Sequence, residues 1–329
     1  MKSAAWCVFL VLSVGACGTS GETREESFFA NAVPFRGGLP EARERVEDLD
    51  FAGAAEIAEA QVAAAPDDVA AWYSLGSARA AQRDFGAARK ALSRAVQLDD
   101  THAAAWNNLG LVLGELGKID AADAAFRKAA TLRAEDTAPW VNLAWLFTKR
   151  GLFGEAVQAY GEALFRDPQS AWIAVAHAGA LVRVGRADEA VDTLNAAIVT
   201  YGESVEALAT LSTALRVREH LAEAREAAER ALALDGSDPQ ALVAFALALD
   251  ALGDPGTEAA YTRALAVGDG AGKRGARLDA IFNYGSFLDD QKRVSDADAQ
   301  FRQYIELSPG GPEVEWIRIR FQRQQEKKQ

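Results

Sequence analysis

Few residues in this chain have the type and spacing to do chemistry. The three histidines are His102, His177 and His220. None stands at metal-ligand spacing from another histidine or a cysteine. His177 falls where a helical pattern asks for a packed leucine, so a core histidine is expected there. His102 and His220 fall at joins or turns and are expected to be exposed. The stretch GDGAGKRG, residues 268–275, has glycines and a lysine of the kind that hold phosphate. It lacks the Gly-x-x-x-x-Gly-Lys-Ser/Thr spacing and follows a helical pattern, so a flexible loop is expected. Neither Gly-x-Ser-x-Gly nor His-Glu-x-x-His occurs. The acidic pairs Asp99-Asp100 and Asp289-Asp290 lie near helix ends, where capping or solvated carboxylates are ordinary. The expectation is a chain with no metal, no cofactor and no enzymatic activity of its own.

Cysteine is more informative. Cys7 and Cys17 are the only two, so no disulfide framework or zinc cluster can form in the remaining chain. Lys2 precedes an apolar run from Ala4 to about Val14. A spanning helix needs about 20 apolar residues, so this run is too short. Gly15 and Ala16 then lead to Cys17, which completes the pattern of a secretory signal. The residues VGAC resemble the lipobox of bacterial lipoproteins, with valine in place of the usual leucine and glycine after it. The resemblance implies a signal peptide over residues 1–16, lipidation of Cys17, export, and an anchor in a bacterial membrane, with the outer membrane facing the periplasm expected. An ordinary cleaved signal with an incidental cysteine is the alternative. Each buried acyl CH₂ contributes about 0.8 kcal/mol, so several chains on one residue hold a protein almost permanently. Residues 17–39 read as a flexible linker, with Phe28, Phe29 and Phe35 expected to tuck against the first helix.

The elements behind these residues follow from composition and period. The 329 residues are 50% hydrophobic and 25% charged, a globular balance. A formal net charge of -12 supplies no basic stripe, so nucleic acid is not an expected partner. Trp72, Trp106 and Trp140 recur every 34 residues. With Val69 as position 1 of a 34-residue unit, apolar or small residues return at positions 4, 7, 11, 17, 20, 24 and 27, save for Arg79 at position 11 of the first unit. The second unit fills these with Trp106, Leu109, Leu113, Ile119, Ala122, Phe126 and Ala129. The third fills them with Trp140, Leu143, Phe147, Phe153, Ala156, Tyr160 and Ala163. Spacings of three and four in each half mean two amphipathic helices, with Gly117 or Gly151 at the turn between them.

These positions resemble the tetratricopeptide repeat. The resemblance implies an all-α fold, a right-handed α-solenoid of stacked antiparallel helix pairs. Residues 40–68 read as a degenerate leading repeat, 69–309 as seven repeats, and 310–329 as a capping helix and tail. The glycine-rich stretch 267–276 is expected to be an insertion before the seventh repeat. Trp316, Ile317 and Phe321 are expected to cover the last repeat's open face.

In this family the first helix of each repeat lines a concave groove in which partners lie. Positions 2, 5, 6, 9, 12 and 13 face inward by that resemblance. They give Asn107, Asn108, Asn142, Trp145, Lys149, Trp172, Val175 and Arg183 here. Asparagine amides can pair with an extended peptide backbone. Two tryptophans off the packed positions offer apolar contact area. Lys149 and Arg183 suit a peptide with an apolar residue and a carboxylate. The implied function is a lipid-anchored scaffold or assembly factor of the cell envelope, binding envelope proteins or their peptide segments. An accessory subunit that recruits substrates to an envelope enzyme, and a binder of glycans or small molecules, remain as alternatives.

Overall fold

A computed structural model describes residues 39–47, 50–267, 274–311 and 313–326. Cys17, the expected signal peptide and the linker before Leu39 lie outside the described residues. The chain divides into two compact units between Ile173 and Ala174. The first holds α1 (Pro40–Glu47), α2 (Phe51–Ala64), α3 (Val69–Ala81), α4 (Phe85–Leu98), α5 (Ala103–Glu115), α6 (Ile119–Leu132), α7 (Ala138–Lys149), α8 (Phe153–Arg166) and the start of α9 (Ala171–Arg183). The second holds the rest of α9, then α10 (Ala187–Tyr201), α11 (Val205–Val217), α12 (Leu221–Leu234), α13 (Pro239–Leu252), α14 (Thr257–Ala266), α15 (Arg274–Asp290), α16 (Val294–Leu307) and α17 (Val314–Glu326). No strand occurs among the described residues.

Helix pairs stack within each unit as the 34-residue period requires. In the first, α3 packs on α4, α5 on α6 and α7 on α8, while α3 meets α5 and α5 meets α7. In the second, α11 packs on α12 and α15 on α16, while α11 meets α13 and α13 meets α15. Several helices begin at a side chain that accepts a backbone N–H. Asp50, Asp68, Asp84, Ser204 and Asp238 do this, and each such cap is worth about 1 kcal/mol.

The turn between paired helices needs a left-handed residue at position 15. Gly117, Gly151, Gly185 and Gly253 supply it, with φ between 66° and 80°. Arg83, Glu219 and Lys292 occupy the same position with φ of 61–63°, a conformation that carries a steric cost for a residue with a Cβ. Close approach explains position 8. A Cβ on Gly110 would lie 2.7 Å from the Phe126 ring, and one on Gly285 would lie 2.8 Å from Phe301. Both rings are fully buried, so the missing side chain is the space they fill.

The periodic tryptophans are half-buried rather than fully enclosed. In the first two repeats the indole also pins the repeat to the join before it. Trp72 Nε1 donates to the Pro66 carbonyl at 2.7 Å, and Trp106 Nε1 to the Asp100 carbonyl at 2.9 Å. In the third repeat Arg166 Nε takes the equivalent carbonyl of Ala134 at 2.6 Å. Its guanidinium lies 4.9 Å from the centre of the Trp140 ring.

Two sequence expectations need adjustment. The insertion before the seventh repeat ends sooner than residue 276, because α15 already starts at Arg274. Trp316 is 44% exposed, although its ring meets Phe301 and Phe282 edge-on at 5.5 Å. The helix α17 is seated mainly by Ile317, which is fully buried, and by Arg320. Arg320 donates to Asp289 at 2.6 and 2.8 Å and to Asp298 at 2.5 Å.

Candidate functional site

The first-helix face of the first unit is built from α3, α5 and α7. A chain of buried polar side chains crosses it. Asn142 Nδ2 on α7 donates to Asn107 Oδ1 on α5 at 2.9 Å. Asn107 Nδ2 lies 3.4 Å from Asn108 Oδ1. Asn108 Nδ2 donates to Ser77 Oγ on α3 at 2.9 Å and lies 3.5 Å from the Tyr73 hydroxyl. All three asparagines are at most 3% exposed. A buried amide without partners is costly, and here the partners come from the same or a neighbouring repeat. Expected to greet an extended peptide, these amides instead tie consecutive first helices together. Burial also pushes the Tyr73 hydroxyl well above the ordinary tyrosine range.

The same seam begins at the edge of the described chain. The backbone N–H of Leu39 donates to Ser74 Oγ on α3 at 2.8 Å. Ser74, Asn108 and Asn142 all occupy position 6 of their repeats, and each is bonded to a residue of the preceding segment. His102, expected to be exposed, is half-buried instead. Its ring packs 4.8 Å from that of Tyr73, and its Nδ1 caps α5 by accepting from Ala105 N at 3.1 Å.

Trp145 and Lys149 share one side of α7. Lys149 Nζ sits 4.3 Å from the centre of the Trp145 ring and 3.3 Å from Glu115 Oε1. Trp145 is half-buried and Lys149 is exposed. Glu115 was not singled out by sequence reasoning, although it precedes Lys149 by one 34-residue period. In this unit Trp172 is 42% exposed. An aromatic plate with a cation above it can hold an apolar side chain beside a carboxylate. That carboxylate would share Lys149 with Glu115.

Arg183 and Val175 belong to the second unit. Both are half-buried. The guanidinium of Arg183 lies in the field of Asp279 and Glu313. Burial, with the like charge of Glu313 added, holds the Asp279 carboxyl well above the usual carboxylate range, and Arg183 opposes that rise. Burial likewise raises Glu313, which accepts a short hydrogen bond from the Tyr304 hydroxyl. Arg183, expected to offer its charge to a partner, thus also lies in the field of acids of its own chain.

His177 is half-buried, and burial lowers its pKa. His220 is exposed and lies 3.2 Å from Glu223. Asp99 closes a turn through Thr101, and Asp289 serves Arg320. Among the described residues no His, Cys, Asp and Glu cluster could hold a metal. None of the described helices is long and apolar enough to cross a membrane.

Comparison with known proteins bears on this architecture directly. One tetratricopeptide repeat model matches residues 103–136, and a second matches 39–103 and 175–239. The chain carries tetratricopeptide repeats. A crystal structure of a tetratricopeptide repeat protein from Parabacteroides merdae ATCC 43184 is similar over 75% of this chain and 94% of its own, with 15% identity and a TM-score of 0.65. The crystal structure of MamA is similar over 56% of this chain and 98% of its own, with 22% identity and a TM-score of 0.44. No curated protein matches. The Parabacteroides merdae protein shares the fold of these repeats.

Proposed function

We infer that this chain is a non-enzymatic interaction scaffold whose first-helix face over residues 39–173 holds a peptide segment of a partner protein. The observation that carries this is the pairing of Lys149 with the Trp145 ring, together with the exposure of Trp172. Tetratricopeptide repeats bury apolar residues at fixed positions, and these three side chains lie off those positions. They leave aromatic surface and one cation accessible in an otherwise acidic chain. Such rigid aromatic groups dominate many interfaces. The buried asparagine seam beneath them holds consecutive first helices in register, which preorganises the face.

The finer reading is that the scaffold is exported, lipidated at Cys17 and held at a bacterial membrane, where its partners are other envelope proteins. The VGAC stretch and the confinement of cysteine to the first seventeen residues support it. Mass spectrometry of the N-terminal peptide from membrane fractions tests this part. An acylated Cys17 supports the anchor, and an unmodified cysteine or a cleavage elsewhere rejects it.

A photo-crosslinking residue in place of Trp172 tests the face. Phe165, 82% exposed on α8, is the control position. Partner adducts from 172 and not from 165 support the reading. Equal adducts from both positions, or none from 172, reject it.

A further inference from the structure

On the first-helix face of the first unit, charge is confined to one pair. Positions 2, 5, 6, 9, 12 and 13 of its repeats between Val69 and Ser170 hold no charged residue except Glu115 and Lys149. Both stand at position 13, one 34-residue period apart, so stacking of the repeats brings the C-terminal ends of α5 and α7 together there. Lys149 Nζ lies 3.3 Å from Glu115 Oε1 and 4.3 Å from the centre of the Trp145 ring. The ammonium is thus held between a carboxylate and an aromatic face. Arg150, the next residue, turns instead to the Gly114 carbonyl at 3.4 Å. The Glu115 side chain is 13% exposed and that of Lys149 is 46% exposed.

Glu115 is poorly placed to serve the fold. It ends α5, where the negative end of the helix dipole disfavours an acid. Its cation is open to water, and ion pairs of that kind contribute little to stability. Its effect falls instead on whatever occupies the face. An ammonium has three donors and no acceptor, so Lys149 keeps a donor for an incoming carboxylate while bonded to Glu115. That carboxylate then meets the like charge of Glu115 across the same nitrogen. An uncharged apolar side chain laid on Trp145 meets no such opposition.

Resting on the peptide-binding reading above, we propose that Glu115 is the specificity-determining residue of this face. It competes with a partner's carboxylate for Lys149, and so suppresses the preference for acidic segments that Lys149 alone would give. The face then selects its occupant chiefly by the apolar side chain that covers Trp145. Removing the Glu115 charge turns the same face into a selective binder of acidic peptides.

The test screens the labelled full chain on an array of random hexapeptides, each carrying one Phe, Trp or Leu. Only peptides whose binding is lost with Trp145→Ala are scored. Among these the unaltered chain is expected to enrich Asp and Glu no more than twofold over the array. Glu115→Gln, which keeps the size of the side chain and removes its charge, is expected to enrich them at least fivefold. Glu115→Gln/Lys149→Met is expected to lose that enrichment. Equal acidic enrichment by the unaltered chain and Glu115→Gln overturns the proposal while leaving the face as a peptide site. Enrichment that survives Lys149→Met overturns it in the same way. The absence of any Trp145-dependent peptide overturns the peptide-binding reading, and the proposal with it. In a second measurement, anisotropy titrations follow one acidic peptide selected by Glu115→Gln at 50 and 500 mM NaCl. Its affinity is expected to fall at least fivefold with salt for the variant and less than twofold for the unaltered chain, since salt screens only an unbalanced charge. Equal falls contradict the proposal.

Discussion

Asn142 gives its side-chain amide to the side-chain carbonyl of Asn107, one repeat earlier, at 2.9 Å and with both residues buried. The bond joins two first helices that are also linked by the Lys149–Glu115 ion pair. Removing one partner leaves a buried acceptor without its donor. Asn142→Ala is expected to lower the stability of the first unit by about 1–3 kcal/mol, read as a fall in the urea midpoint. Replacing both residues by leucine is expected to recover part of that loss, since neither member of the pair is left orphaned, although Asn108 Oδ1 then loses Asn107 Nδ2. A single variant with an unchanged midpoint would show that the seam contributes nothing.

The turn position gives a prediction of opposite sign. Glu219 has a φ of 63°, where four equivalent positions carry glycine. Glu219→Gly is expected to stabilise the second unit by about 1 kcal/mol, because the left-handed cost disappears. The converse change, Gly117→Ala, is expected to destabilise the first unit by a similar amount. Thermal melting of the two variants checks the pair, and shifts of the same sign would contradict the argument.

Glu313 predicts a pH dependence. Burial raises its folded-state pKa, although Tyr304 hydrogen-bonds to it and Arg183 lies nearby. A carboxyl raised on folding contributes its full stability below its unfolded pKa of about 4.3 and loses it as pH rises through the folded value. Glu313→Gln keeps an acceptor for Tyr304 and removes the buried charge. The variant is expected to melt higher than the parent at pH 8, with the gap closing toward pH 4. A gap that widens on acidification would show that the carboxylate, and not its neutral form, is the favoured state.

The fold was legible because one set of side chains returns every 34 residues. Trp106, Leu109, Gly110 and Phe126 each have a spatial role that the period forces on their equivalents. Gly110 and Phe126 are the clearest case, since a small residue at position 8 is needed for a ring at position 24. The candidate site was legible only in part. Helical spacing places Asn107, Asn108 and Asn142 on the first-helix face, but it does not distinguish an open surface from the seam between neighbouring helices. The recurrence of asparagine at position 6 in consecutive repeats was the available signal for a seam. Arg183 was not legible from its neighbours in sequence for a different reason. The acids whose field reaches it, Asp279 and Glu313, lie about 100 and 130 residues further along, and no local pattern links them. His102 was misread because a join in the sequence is also a helix N-terminus, where its imidazole finds a backbone donor.

The most direct measurement is affinity capture by the full chain and by its Trp145→Ala/Lys149→Ala variant from the same detergent-solubilised envelope, quantified by mass spectrometry. Circular dichroism first confirms that the two chains share helicity and melting temperature. The account predicts a defined set of proteins enriched at least tenfold on the parent and lost from the variant. The same set, recovered equally by both chains, would contradict it.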